Sequence, residues 1–295
     1  MWYKQLSAFW LPSPPSAALL EAALMTAPHM PPAGLDWFNE GFALPRPFSD
    51  GLLFDTDGRL GFALKHEEKV LPAAVIREQV QKRVDKIERQ EARTVGRKEQ
   101  QELKERVTDD LLPKALTRSS RTHAVIAGNW LLVDAASAAK AEKLLTCLRQ
   151  ALGGIDSRLP RTQESPCSLM TRWLLAGEAQ GGFELDDCAV LVGSGNAAAR
   201  IKIDRSDLTR EDIVQHVKNG LKVCEMGLIW QQRISFVLTA DLTLKRIRYL
   251  DTLAQAADDQ ADDAATLAFA TQIIMADNLT AILDELSELA GGLEV

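Results

Sequence analysis

Four basic residues have the spacing that a surface for binding a polyanion would need. Lys82, Lys86, Arg89 and Arg93 recur at intervals of four, three and four residues, which places side chains on one face of an α-helix. A cationic stripe of this kind can neutralise successive phosphates of a nucleic-acid backbone and release condensed counterions without reading the bases. The spacing therefore makes this face a candidate polyanion-binding surface.

A solvated helix is the competing interpretation of the same residues. Mixed charges at i,i+4 spacing are typical of an exposed helix that carries its own ion pairs, and on spacing alone we favour that interpretation. Lys114, Arg118 and Arg121 weaken it, because they follow in a polar segment, residues 114–122, that has no acid and is predicted to be a loop. The interleaved acids are Glu78, Asp85, Glu88, Glu91 and Glu102.

Motifs for enzymatic chemistry give no consistent set of residues. Residues 193–198 match the glycine pattern of a dinucleotide-binding loop, but the next segment, Arg200–Ile203, predicts a strand where that loop requires a helix, so we predict a hairpin turn. The four histidines are far apart, the four cysteines form no CxxC pair, and the acids at 258, 259, 262 and 263 lack a calcium-loop pattern. We predict no catalytic residues, no metal site and no cofactor, and therefore a protein that is not an enzyme.

The net charge of the chain is an average over parts of opposite character. The chain has 34 Lys and Arg against 41 Asp and Glu, a formal charge of -7. No base follows Arg248, whereas ten acids lie beyond Leu250, and residues 77–121 hold thirteen bases and nine acids. Such asymmetry favours a polyanionic partner for the basic part. The acidic total therefore does not exclude nucleic acid, and we expect the acidic C-terminal segment to lie away from it.

The periodicity predicts an α+β fold with antiparallel sheets and packed helices. Three strand pairs have the form of β-hairpins, at 123–134, 188–203 and 234–250, and strands that pair in hairpins make antiparallel sheets. Pro72 begins an amphipathic helical pattern that breaks near Gly96 and resumes after it. We call residues 72–121 the helical arm and expect it to protrude from the main body.

The same patterns divide the chain into three regions. Residues 1–71 and 122–160 are predicted to form an N-terminal α+β region, into which the helical arm is inserted. Residues 161–295 are predicted to form a C-terminal α+β region that ends in acidic helices. No apolar run approaches the roughly 20 residues of a membrane span, and no secretory signal precedes Pro12. We therefore expect a cytoplasmic protein with reduced thiols and no membrane partner.

Several segments, in order along the whole chain, resemble motifs of the RdgC family of recombination-associated proteins. The length also agrees with that family. The matching segments are residues 2–6, 65–76, 111–115, 132–142, 207–213, 228–236 and 244–247.

The resemblance implies a DNA-binding protein without enzymatic activity. Members of this family form a ring-shaped homodimer whose positively charged central hole takes double-stranded DNA, and they bind single and double strands with little sequence preference. The resemblance further implies a nucleoid-associated protein that restrains the RecA recombinase by competing for its DNA. An interaction module that docks on recombination proteins without direct DNA binding is the alternative.

The bases of the helical arm and of two later strands are the candidate DNA contacts. The later bases are assigned from charge and not from a family motif. The family can carry phenylalanines in the loop after the Leu-Pro-basic-Ala motif, and the matching positions here are Leu116 and Ser119. We therefore expect this loop to contact the nucleic-acid backbone through Arg118 and Arg121, and not to stack on nucleotides. The candidates are Lys82, Lys86, Arg89, Arg93, Arg97, Lys98, Lys114, Arg118, Arg121, Lys202, Arg205, Lys245, Arg246 and Arg248.

Overall fold

A computed structural model describes residues 1–193, 199–258 and 263–294 of the chain. The fold is α+β with antiparallel sheets, as the sequence predicts. The strands are β1 (Ser7–Trp10), β2 (Phe38–Ala43), β3 (Phe54–Thr56), β4 (Arg59–Val70), β5 (Leu116–Ala127), β6 (Trp130–Val133), β7 (Phe183–Val192), β8 (Arg200–Ile203), β9 (Lys222–Trp230), β10 (Ile234–Thr239) and β11 (Leu244–Tyr249). The helices are α1 (Ala17–Thr26), α2 (Ala73–Glu91), α3 (Arg97–Leu111), α4 (Ala138–Ala151), α5 (Pro166–Ala176), α6 (Glu211–Lys218), α7 (Asp251–Asp258) and α8 (Ala264–Leu289).

The chain folds into two compact units, and it passes between them after α1, after β2, within β4 and within β5. The first unit contains Met1–Thr26, Leu44–Phe62 and Thr122–Val295. The second contains Ala27–Ala43 and Ala63–Arg121. The second unit thus holds the whole helical arm together with β2 and most of β4, while the ends of the chain fold in the first unit.

Strands of two antiparallel sheets contribute side chains to the core of the first unit. One has the strand order β1-β6-β5-β4-β2, with β3 also paired to β4, and the other has the order β11-β10-β9-β7-β8. Backbone hydrogen bonds between Leu6 and Leu244 connect β11 to the segment before β1. The large side chains of Trp130, Trp173 and Phe236 are at most 2% exposed and fill the interior. Burial of this apolar surface is the main stabilising contribution to the unit.

Helix α8 is the central helix of the first unit. A capping box between Asp263 and Thr266 starts it, and Met275, Leu279 and Leu283 are at most 1% exposed. By length and composition alone this helix could cross a membrane, so the prediction that no apolar run approaches a membrane span is wrong. Burial of its apolar side chains in the protein core accounts for that composition.

The second unit is built on a helical hairpin. Val84 on α2 and Leu103 on α3 pack with Val95 from the connection between the helices, and each is under 9% exposed. An ion pair between Arg83 and Asp110, 2.6 Å long, also joins the two helices. This apolar seam is narrow, so the outer surfaces of both helices remain in solvent.

The predicted hairpins are confirmed, and one predicted loop is wrong. Strand β5 pairs with β6, β7 with β8, and β10 with β11, all antiparallel. The glycine-containing segment at 193–198 connects β7 to β8, but residues 194–198 lie outside the described part of the chain. The segment predicted as a loop at 114–122 is largely strand, because β5 already begins at Leu116.

Candidate nucleic-acid interface

Helix α2 presents the first group of predicted bases. Lys82, Lys86 and Arg89 are all exposed, as expected from their positions opposite the apolar seam. The Nζ atom of Lys82 lies 2.7 Å from Oε1 of Glu78, one turn earlier, and this hydrogen bond lowers the pKa of Glu78. Within the described residues, Lys86 and Arg89 have no carboxylate at ion-pair distance, so their charges are available to an anion.

Arg93 does not continue this stripe, contrary to its spacing. Helix α2 ends at Glu91, and Ala92 turns the chain with a φ of 50°. The Arg93 guanidinium instead donates to Glu99 at 2.7 Å and to Glu91 at 2.6 Å. These bonds raise the pKa of Arg93. Its charge is compensated by two neighbouring carboxylates, which makes it a poor phosphate ligand.

Arg97 and Lys98 open helix α3. Both are exposed, and neither has a carboxylate at ion-pair distance among the residues that the structure describes. The helix begins after Gly96, which offers no side chain to cap it. The positive end of the helix dipole and the two cations therefore coincide, and this arrangement attracts anions.

Strand β5 carries a third group of bases. Its residues from Leu116 to Arg121 are all exposed, with Lys114 just before them. Nε of Arg118 donates to Oε1 of Glu68 at 3.0 Å, which lowers the pKa of that glutamate. Lys114 and Arg121 have no carboxylate at this distance in the described part of the chain. Leu116, the first residue of β5, is 82% exposed.

The remaining predicted DNA contacts lie on one surface of the five-stranded sheet in the first unit. We call this surface the sheet face; its residues are Lys202, Arg205, Lys245, Arg246 and Arg248. Arg205, Arg246 and Arg248 line one depression of about 350 Å³, and Lys202 lines a neighbouring one with Arg246. Acids are present here too. The Nζ atom of Lys245 lies 3.3 Å from Oε1 of Glu225, so the sheet face is of mixed charge.

The sequence analysis missed several exposed residues of the second unit. Lys104 and Arg106 on α3 are exposed. The sequence did not indicate them as DNA contacts because acidic residues lie next to both. Trp37 and Phe38 are 46% and 52% exposed. Phe38 pairs with Glu68 across the sheet, and its ring lies 5.4 Å from the imidazole of His66. Exposed aromatic rings suit stacking on nucleotides, and no periodic pattern in the sequence indicated these two.

The two units differ in net charge. The second unit has 15 Lys and Arg against 13 Asp and Glu, while the first has 19 against 28. Across the described residues, no group of three or more His, Cys, Asp or Glu is placed to hold a metal ion. The chemistry that the exposed bases offer is the electrostatic binding of anions.

Known proteins related to this chain match it from end to end. A family profile described as "Putative exonuclease, RdgC" matches residues 1–293. The Recombination-associated protein RdgC of Neisseria meningitidis serogroup B is 52% identical over 296 residues, covering 99% of both chains. The proteins of the same name from Laribacter hongkongensis and Burkholderia cenocepacia are 46% and 34% identical over 297 residues, covering 99% of this chain and 99% and 96% of theirs. The chain belongs to the RdgC family of recombination-associated proteins.

Proposed function

We propose that this protein binds DNA, double- and single-stranded, without sequence preference. The observation that carries the proposal is the set of exposed bases in the second unit that have no carboxylate partner within the described residues. Six of them are among the predicted contacts, namely Lys86, Arg89, Arg97, Lys98, Lys114 and Arg121, and Arg77, Lys104 and Arg106 share both properties. Lysine and arginine side chains of this kind contact phosphates, and phosphate contacts carry no information about the nucleobase sequence. The exposed rings of Trp37 and Phe38 support binding of unpaired strands.

Two further parts of the proposal rest on the family resemblance. The protein acts as a ring-shaped homodimer that encircles DNA, and it restrains the RecA recombinase by occupying the DNA that the recombinase needs. The names of the relatives support a place in recombination. Sedimentation of the purified protein tests the dimer: a monomer at working concentration contradicts the ring.

A charge-removal variant tests the proposed contacts. In the quadruple variant Lys86→Gln, Arg89→Gln, Arg97→Gln, Lys98→Gln, we expect weaker binding to every duplex sequence alike, measured by fluorescence anisotropy. The slope of log K against log salt should become shallower by about 0.9 for every phosphate that the variant no longer neutralises. Glutamine is a good helix former, so α2 and α3 should persist.

The control removes a charge pair and keeps the net charge. Lys82→Gln combined with Glu78→Gln deletes the exposed pair on α2 and should leave both affinity and salt slope unchanged. Equal affinity of the quadruple variant and the unaltered protein would contradict the assignment of these bases to DNA.

Docking on recombination proteins without DNA contact is the second candidate function. Leu19 and Met25 on α1 favour it, because they are 55% and 63% exposed and exposed apolar side chains are available to a protein partner. Competition separates the candidates. If the protein restrains the recombinase by covering DNA, added DNA relieves the restraint and the quadruple variant fails to restrain; direct docking predicts neither result.

The family description also names an exonuclease, whereas we propose binding alone. End-labelled DNA incubated with the protein and Mg²⁺ should keep its full length. Progressive shortening of the label-bearing strand would contradict this part of the proposal.

A further inference from the structure

Two cysteine thiols of the first unit lie side by side. The Sγ atoms of Cys167 and Cys224 are 3.7 Å apart, although the residues are 57 positions apart in the chain. Both cysteines are partly exposed and free. A disulfide requires about 2.05 Å between the sulfurs, so closing the bond needs an approach of less than about 2 Å, which side-chain rotation and small backbone shifts can supply.

The backbone around the two thiols is held in place by one side chain. Thr171, one turn after Cys167 on α5, donates its hydroxyl to the Cys167 carbonyl at 2.5 Å. The same hydroxyl oxygen accepts the backbone N–H of Val223 at 3.0 Å. Val223 directly precedes Cys224 on β9, the central strand of the five-stranded sheet. The helix and the strand therefore present the two sulfurs to each other in a fixed arrangement.

We propose that Cys167 and Cys224 form a reversible disulfide, which makes this pair a redox modification site. A small-molecule disulfide such as oxidised glutathione is the oxidant. The thiolate of one cysteine attacks it and releases one glutathione thiolate; the second cysteine, deprotonated, then displaces the other glutathione. The protein loses two protons and two electrons, and the oxidant becomes two thiols. The product fastens α5 to β9.

The environment of Cys167 sets the pH dependence of this reaction. Burial and the neighbouring Cys224 raise the pKa of Cys167 to about 11. Because the thiolate is the reacting form, bond formation should accelerate as the pH rises from neutrality towards that value. We therefore expect slow bond formation at neutral pH, where little of Cys167 is thiolate.

The experiment counts thiols in the full-length protein. After treatment with oxidised glutathione and removal of the reagent, we expect the four cysteine thiols to fall to two, the intact mass to fall by two hydrogens, and a cross-linked peptide to join Cys167 and Cys224. Dithiothreitol should restore all four thiols. The matched control, Cys147→Ser with Cys188→Ser, keeps the pair and should lose both of its remaining thiols.

The single variants Cys167→Ser and Cys224→Ser should form no internal bond and gain glutathione instead. Thermal unfolding of the reduced variants, compared with the reduced unaltered protein, shows that they are folded. Four thiols retained after oxidation, a stable glutathione adduct on the unaltered protein, or a cross-link to Cys147 or Cys188 would each overturn the proposal.

Discussion

At the residue scale, a lysine or arginine is available to bind a polyanion only where no carboxylate already pairs with it. Lys82, Arg93, Arg118 and Lys245 each lie within ion-pair distance of a carboxylate. Exposed pairs of this kind contribute little to stability, but they cancel the local charge. Fourteen bases in the sequence therefore reduce to a smaller set that can act on phosphates. Spacing alone could not identify that set, because the acids that pair with Arg93 and Arg118 lie outside the helical repeat.

The partly buried carboxyl group of Asp134 gives a prediction for the pH dependence of stability. Asp134 follows β6, and burial raises its pKa, against the opposing effect of hydrogen bonds from the backbone N–H groups of Lys4 and Gln5. The folded protein therefore retains a proton that the unfolded chain releases, and its stability falls as the pH rises from 3.8 through the folded pKa. Asp134→Asn removes this loss. We expect the free energy of unfolding of the variant, minus that of the unaltered protein, to increase with pH across this window and then level off.

The control for this prediction has the opposite sign. Hydrogen bonds from the Thr209 hydroxyl and backbone N–H lower the pKa of Asp207, so this aspartate stabilises the fold above its unfolded pKa of about 3.8. For Asp207→Asn the same difference should decrease as the pH rises. Urea denaturation between pH 3 and pH 7 measures the free energy of unfolding of both variants and of the unaltered protein. If the curves of this free energy against pH are parallel for Asp134→Asn and the unaltered protein, the prediction for Asp134 is contradicted.

At the element scale, the acidic helix α8 is fastened to the core by its own carboxylates. Trp130 donates its indole N–H to Asp284 at 2.8 Å, and Trp230 donates to Glu285 at 2.7 Å. The Glu285 carboxylate also accepts the backbone N–H of Gly182 at 2.5 Å. Part of the acidic excess after Leu250 therefore has a structural role, which the sequence presents only as uncompensated charge.

Glu285→Ala tests this attachment. The substitution leaves the Gly182 N–H and the indole of Trp230, which is 4% exposed, without their acceptor. Because an unsatisfied buried donor costs about 1–3 kcal/mol, we expect a loss of that order in the free energy of unfolding, measured by circular dichroism in urea. The control, Glu288→Ala, lies one turn away on the exposed side and should change it by less than about 0.5 kcal/mol. Equal effects of the two substitutions would show that the bonds to Glu285 are unimportant.

The elements that the sequence predicts well are those with a buried face. The seam of α2 and α3 and the three hairpins have apolar side chains at the periods of helix and strand, and all are confirmed. The first half of β5 has no such period, because its residues from Leu116 to Arg121 are all exposed; only pairing of its backbone makes it a strand. The end of α2 at Glu91 could not be predicted either. Ala92 adopts the left-handed conformation there, whereas a glycine is the usual sequence signal for such a helix end.

At the scale of the whole molecule, the excess of acidic over basic residues lies entirely in one unit. The first unit has nine more acids than bases, while the second has two more bases than acids. The predicted contacts on the sheet face lie within the acidic unit, near Glu225 and the carboxylates of Asp186, Asp187 and Asp204. Local exposure and pairing, and not net charge, are therefore the basis on which we propose the DNA contacts.

Lysine footprinting tests this distribution over the whole chain. We expect bound DNA to protect Lys86, Lys98 and Lys114 of the second unit from acetylation, because phosphate contact buries their amines, and to protect Lys202 of the sheet face. Lys140 on α4 and Lys218 on α6 are exposed outside both surfaces and should be modified equally with and without DNA. Mass spectrometry of the acetylated peptides measures each site. Protection of Lys140 and Lys218 as strong as that of Lys86 would contradict a localised interface, and protection of the second unit without Lys202 would remove the sheet face from it.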